Sequence, residues 1–193
     1  MQKALFILTL GVVLLLGFFI TLSLFIKQRR NISFLELYLQ KLKKNEDLDY
    51  LERYATKAQY LAGYSALISY KPAYKNYYIE NYHIITNTVR NLTALRGVCL
   101  DDLHYVYATL NSAIGESTEV LNKHKSNLYN PFIWLKESCN ILLSLIPFIL
   151  KSVGILSQNN YNKYTNSKSF DVIVGVFTII YSIFAILEII GFF

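Results

Sequence analysis

The chain has 193 residues, a formal net charge of +6 and a hydrophobic share of 53%. Once its apolar segments are set aside, the remainder can form one small soluble domain of about a hundred residues, which excludes a second domain. Charge is nearly balanced over residues 45–130, and the basic excess flanks the apolar segments. We therefore predict attraction to an anionic lipid surface and no nucleic-acid partner. The heavy use of Ile, Lys, Asn and Tyr is typical of proteins from AT-rich bacterial genomes.

Residues 4–26 form an uncharged apolar segment, which predicts a transmembrane helix of about 34 Å against a hydrocarbon core of about 30 Å. A cleaved signal peptide is disfavoured because its apolar core is shorter and ends in small residues. Lys27, Arg29 and Arg30 follow the segment at once, whereas only Lys3 and the amino terminus precede it. The positive-inside rule therefore places these three side chains at the membrane surface and the following domain in the cytoplasm.

Residues 27–130 are predicted to form a small cytoplasmic helical bundle. Ser33 and Glu36 make a capping-box pattern that favours a short helix to about Lys44. Acidic residues within 45–49 predict the start of a second helix. Small residues then recur on one face of that helix, at Ala55, Ala58 and Ala62, where a neighbouring helix can approach closely.

Two further helices are predicted in the bundle, and no strand. A two-sided pattern over 73–96 indicates a third helix with an apolar face formed by Tyr74, Tyr77, Tyr78, Ile85, Val89, Leu92 and Leu95. Asp101 or Asp102 can open a fourth helix whose inward positions are Leu103, Val106, Tyr107, Leu110 and Ile114. The many tyrosines between Tyr50 and Tyr82 are expected to serve packing more than ligand stacking.

Residues 131–156 are apolar but amphipathic when placed on a helix. One narrow stripe collects the polar and helix-bending residues Lys136, Asn140, Ser144, Pro147 and Lys151. We predict a helix at the bilayer surface or a re-entrant helix, with Trp134 as an interface anchor and Lys136 and Lys151 reaching headgroups. The alternative is a third span. A polar loop over 157–169 follows.

Residues 170–193 are predicted to form a second transmembrane helix with an ordered small and polar face. Gly175, Thr178, Ser182 and Ala185 continue one stripe, which is typical of membrane helices that pack against another helix. The first span offers only Gly17 and Thr21 in register. The stripe predicts packing within the chain or self-association, and Glu188 is expected near the far interface.

No motif points to catalysis. The histidines His83, His104 and His124 lack metal-ligand spacing, and Asp101 with His104 has no nucleophile or metal beside it. We predict no catalytic residue, no cofactor, no metal and no enzyme activity. A cytoplasmic setting would keep Cys99 and Cys139 as thiols.

The sequence therefore predicts an all-α membrane protein of the cell membrane, multi-pass, with terminal transmembrane helices around a cytoplasmic helical bundle and an amphipathic interfacial or re-entrant helix. The expected function is that of a bacterial membrane-anchored, non-catalytic interaction or adaptor protein, in a setting such as immunity, phage exclusion or regulation. Its partners are the lipid bilayer and a protein partner or a second copy through the carboxy-terminal helix. The alternative is an oligomerising membrane effector that perturbs the bilayer.

Overall fold

A computed structural model describes residues 2–71, 76–94, 98 and 100–190 and is mostly helical. The helices are α1 (Gln2–Lys44), α2 (Leu48–Ala62), α3 (Ile84–Thr93), α4 (Leu100–Asn127), α5 (Pro131–Ser152), α6 (Gln158–Thr165) and α7 (Lys168–Ile190). A single 3-10 turn, Gly63–Ala66, leads into a two-stranded antiparallel sheet of β1 (Leu67–Tyr70) and β2 (Ile79–His83). The chain divides into a first unit, Met1–Phe25 with Lys123–Phe193, and a second unit, Ile26–Asn122.

Helix α1 continues without a break for 43 residues, or about 64 Å. The predicted new helix start at Ser33 is therefore wrong. No glycine or proline interrupts the helix after Gly17, and Ile32 and Leu35 on either side of Ser33 are buried. An N-cap needs a residue outside helical geometry, and packing of these apolar neighbours holds Ser33 inside the helix.

The start of α2 confirms the second predicted helix. Asp47 is its N-cap, with a left-handed φ of 57°, and its carboxylate accepts a hydrogen bond from the Tyr50 N–H at 3.2 Å. Lys41 Nζ lies 2.8 Å from the other carboxylate oxygen. The hydrogen bond from Lys41, together with that from Tyr50, holds the pKa of Asp47 below its usual range. The turn between α1 and α2 is thus fixed by one carboxylate.

The core of the second unit is formed by the later half of α1 with α2, α3 and α4. Its fully buried members are apolar, or tyrosine with a partner: Leu35, Tyr38, Leu51, Ala58, Ala66, Ile84, Ile85, Val89, Val106 and Leu110. The Tyr38 hydroxyl donates to the Leu51 carbonyl at 2.9 Å, and burial raises the pKa of Tyr38. The face of small residues on α2 is buried, as are Val106 and Leu110 at inward positions of α4, which confirms both predictions.

The predicted helix over 73–96 is wrong over residues 76–83, and residues 73–75, 95 and 96 lie outside the described part. Residues 76–78 are not helical, Ile79–His83 is a strand, and only Ile84–Thr93 is helix. Strand β2 pairs with β1 through Leu67↔His83 and Ile68↔Tyr82, and the rings of Tyr70 and Tyr82 stack with centroids 4.3 Å apart. Aromatic and β-branched residues gain more from this cross-strand pairing than from a helix, so the chain is mostly helical, as predicted, but also contains an unpredicted two-stranded sheet.

Gln59 joins α2 to the start of α3. This buried side chain donates from Nε2 to the Ala66 carbonyl at 2.7 Å, and its Oε1 accepts from the backbone N–H of Ile85 at 3.0 Å and of Thr86 at 3.3 Å. His83, the N-cap of α3, makes no capping bond with its side chain. The amide of Gln59 therefore satisfies the first N–H groups of α3 in its place.

Replacing Gln59 by leucine should destabilise the second unit, because buried N–H and C=O groups would lose their partners at about 1–3 kcal/mol each. Thermal denaturation followed by circular dichroism measures the effect. Gln59→Glu keeps the acceptor, loses the donor and buries a charge, so it should also lower the melting temperature. Glu52→Gln is the matched control, since Glu52 is exposed on the same helix and the substitution leaves these bonds intact. Equal melting temperatures for Gln59→Leu and Glu52→Gln would contradict the assignment.

Candidate functional site

Helices α1 and α5 approach each other closely where α1 has a glycine. Buried Ser138 of α5 donates its hydroxyl hydrogen to the Val13 carbonyl of α1 at 2.5 Å. One turn earlier, the Trp134 ring lies edge-on to Phe18 with centroids 5.1 Å apart, and a Cβ on Gly17 would overlap the Trp134 carbonyl. Because the contact moves backward along α1 as it moves forward along α5, the two helices are antiparallel.

Helices α5 and α7 form an antiparallel hairpin that is connected by the short helix α6. Lys151 near the end of α5 places its ammonium 5.1 Å from the ring centre of Tyr161 in α6. Tyr164 of α6 in turn contacts Phe170 at the start of α7, with centroids 5.5 Å apart. Helix α7 then packs back along α5. Helix α5 is therefore the central member, antiparallel to both α1 and α7.

The first unit exposes many large apolar side chains, and its buried positions mix small, polar and apolar residues. Between residues 8 and 26 of α1 the buried positions are Gly17 and Thr21, and on α5 they include Leu135, Ser138 and Pro147. The exposed side chains include Leu8, Val12, Leu15, Phe19, Phe132, Leu142, Leu145, Phe148, Ile149, Val172, Phe177, Ile179 and Ile183. Within the described residues two helices, Leu8–Lys44 and Pro131–Ser152, are long and apolar enough to cross a membrane.

The predicted packing stripe of α7 is only partly covered by its own chain. Gly175 has open space where a Cβ would lie. Thr178 is buried, yet its hydroxyl donates to Val174 O of its own helix at 2.7 Å, and Ser182 donates likewise to Thr178 O at 2.7 Å. The side chain of Ala185 lies outside the described part. Phe170, Val174 and Thr178 form the covered face of α7 instead.

A groove of about 520 Å³ runs beside this stripe, between α7 and the first turns of α5. Its lining combines polar and apolar side chains: Phe132, Ile133, Lys136, Asp171, Gly175, Thr178, Ile179, Ser182, Ile183 and Ile186. Both predicted polar stripes thus contribute to one surface, because Lys136 comes from the first and Gly175, Thr178 and Ser182 come from the second.

The residues predicted for the membrane surface fall in two different settings. Lys27, Arg29 and Arg30 are exposed on α1 just beyond its apolar half. Lys136 is exposed near the start of α5, while Lys151 lies at its end, over Tyr161. Trp134 instead contacts Phe18 within the apolar stretch of α1. Ser138 was missed, although a small polar residue within an apolar helix is a signal for a helix contact.

The described residues hold no group of three or more His, Cys, Asp or Glu side chains that could bind a metal ion. His83 is exposed at the end of β2, and Cys139 is a partly buried free thiol of α5. Cys99 and the side chain of Glu188 lie outside the described part.

Gly17→Val should weaken the contact between α1 and α5, because the new side chain would overlap the Trp134 backbone and overpacking costs about 1–3 kcal/mol. Gly11→Val is the matched control, since a Cβ there meets no atom within 4 Å. The midpoint temperature of thermal aggregation in detergent should fall for Gly17→Val and stay unchanged for Gly11→Val. Ser138→Ala should lower this midpoint less than Gly17→Val, because the lost hydrogen bond contributes about 0.6 kcal/mol to helix pairing. A similar fall for Gly11→Val would contradict this contact.

Comparisons with known proteins do not supply a family. The chain matches no protein-family model, and neither a curated protein nor a solved structure is significantly similar to it. A functional proposal therefore rests on the contacts and surfaces of the chain itself.

Proposed function

We propose that the chain is a multi-pass protein of the bacterial cell membrane whose second unit is a cytoplasmic, non-catalytic interaction domain. The wide apolar surface that the first unit exposes carries this proposal. Large apolar side chains such as Leu15, Phe19 and Phe148 face outward, while Gly17 and Ser138 lie at the helix contact. In water that arrangement would expose a wide apolar surface, whereas in lipid it is the usual one.

The same contact favours a third span over a surface position for α5. Ser138 bonds to Val13, which lies about 20 Å along α1 from Ile26. If Ser138 lay at the bilayer surface, only residues 4–13 would remain inside, and about 14 Å of helix cannot cross a core of about 30 Å. With α5 and α7 about 33 and 35 Å long, three antiparallel spans fit.

This topology leaves the amino terminus and α6 outside and the second unit inside. Basic residues near the apolar segments on the inner side are Lys27, Arg29, Arg30, Lys41, Lys43, Lys44, Lys123 and Lys125. Those on the outer side are Lys3, Lys151, Lys163 and Lys168. The excess inside agrees with the positive-inside rule even though α6 is basic.

Labelling of single cysteines tests the topology. With Cys99 and Cys139 replaced by serine, a membrane-impermeant maleimide should label Asn160→Cys, in α6, on intact spheroplasts. It should label Glu119→Cys, in α4, only after permeabilisation. Protection of both sites until permeabilisation would indicate that α5 lies at the bilayer surface. Labelling of Glu119→Cys alone on intact spheroplasts would indicate the opposite orientation in the membrane.

A second candidate function is favoured by the open groove beside α7. A second copy could place a helix there, since Gly175 leaves the backbone accessible, and a ring of copies would perturb the bilayer. An adaptor, by contrast, leaves membrane permeability unchanged.

Gly175→Leu should fill the groove and reduce self-association, measured as the protein mass by light scattering in detergent. Val176→Leu, one residue along on an exposed face, is the matched control and should keep the mass. Dye release from vesicles should fall with Gly175→Leu if the protein is an effector. A monomeric parent protein that releases no dye would exclude this second candidate.

A further inference from the structure

The second unit contains a cavity of about 610 Å³ between α2 and α3. That volume lies within the range of about 300–1,000 Å³ that is usual for small-molecule sites. Its wall is mostly apolar and is formed by Thr56, Gln59, Tyr60, Gly63, Tyr64, Leu67, His83, Thr86, Asn87 and Arg90. Neither the predicted packing stripe of α7 nor the groove beside it takes any part in this cavity.

The base of the cavity is fixed before any ligand binds. Both ends of the Gln59 amide are engaged, by the Ala66 carbonyl on one side and by two N–H groups of α3 on the other. The amide is buried and cannot turn without breaking these bonds. A ligand would therefore meet a preformed surface and would not have to order it.

Two tyrosines at the cavity do not pack as predicted. The exposed fractions of Tyr60 and Tyr64 are 82% and 92%, although both belong to the segment whose tyrosines were expected to serve packing. Gly63, with a φ of 63°, is the first residue of the 3-10 turn after α2 and leaves open space where a Cβ would lie. The two rings are thus free to cover a flat apolar group.

The charge at the cavity is positive. Arg90 is exposed, and none of the described residues that line the cavity is acidic. Arg90 has no carboxylate within 4.0 Å among the described residues, although Glu52 shares a neighbouring cavity with it. A guanidinium group matches the two oxygens of a carboxylate, which favours an anionic ligand.

We infer that this cavity binds a small planar aromatic anion, with its ring against Tyr60 and Tyr64 and its acid group on Arg90. The apolar walls provide the contact area that the ligand buries, and the Arg90 guanidinium fixes the orientation of the ligand. The inference goes beyond the proposed membrane topology and does not depend on it, because every residue involved belongs to the second unit.

Indole-3-acetate and indole-3-acetamide are suitable probes, since they share a ring and differ in charge. Titration of the full chain in lipid nanodiscs, with empty nanodiscs as blank, should show saturable binding of both. The acid should bind about fivefold tighter, the size of one partly exposed ion pair. This preference is measured on the unaltered protein and so does not depend on how a variant folds.

Arg90→Gln should remove the preference for the acid, and Tyr64→Ala should weaken the binding of both probes. Glu52→Gln should tighten binding of the acid alone, because it removes a carboxylate from the neighbouring cavity that Arg90 also lines. Arg53→Gln is the matched control, since this exposed arginine of α2 does not line the cavity. The inference is overturned by absence of saturable binding, by equal affinity for acid and amide, or by a preference that survives in Arg90→Gln.

Discussion

The absence of a Cβ at Gly17 sets the distance between α1 and α5, and the arrangement of the first unit depends on it. The Trp134 carbonyl occupies the space that a side chain at this position would fill, and Ser138 then reaches the Val13 carbonyl. The same contact brings the Trp134 and Phe18 rings together edge to face. Close packing and a hydrogen bond of this kind suit helices that are surrounded by lipid.

The two halves of helix α1 bury different kinds of side chain. Its apolar half buries Gly17 and Thr21, whereas its later half buries Leu35, Tyr38 and Leu42. The later half joins an apolar core in which the buried Tyr38 hydroxyl and the Gln59 amide both have hydrogen-bond partners. A single continuous helix can serve both because the backbone bonds of a helix are internal and do not depend on the solvent.

Local sequence signals predicted α2 and α4 well. Contacts between residues far apart in the chain explain most of the differences between the predicted and the observed structure. Asp47 capped α2 as its position indicated, because a cap depends on the next few residues alone. The sheet was missed because β2 needs β1 as a partner, and no helical period reveals that pairing. In the first unit, Gly17 and Thr21 were noted but given less weight than the stripe of α7, since the position of a partner helix is not encoded locally.

Trp134 is the only tryptophan in the chain and lies at the contact between α1 and α5. Excitation at the red edge of the absorption band selects indole over the 16 tyrosines, so the emission comes from this one place. Loss of the Phe18 neighbour would change the polarity around the indole and shift the emission wavelength. The protein therefore carries its own unlabelled optical reporter of helix docking, distinct from the signal of the tyrosines.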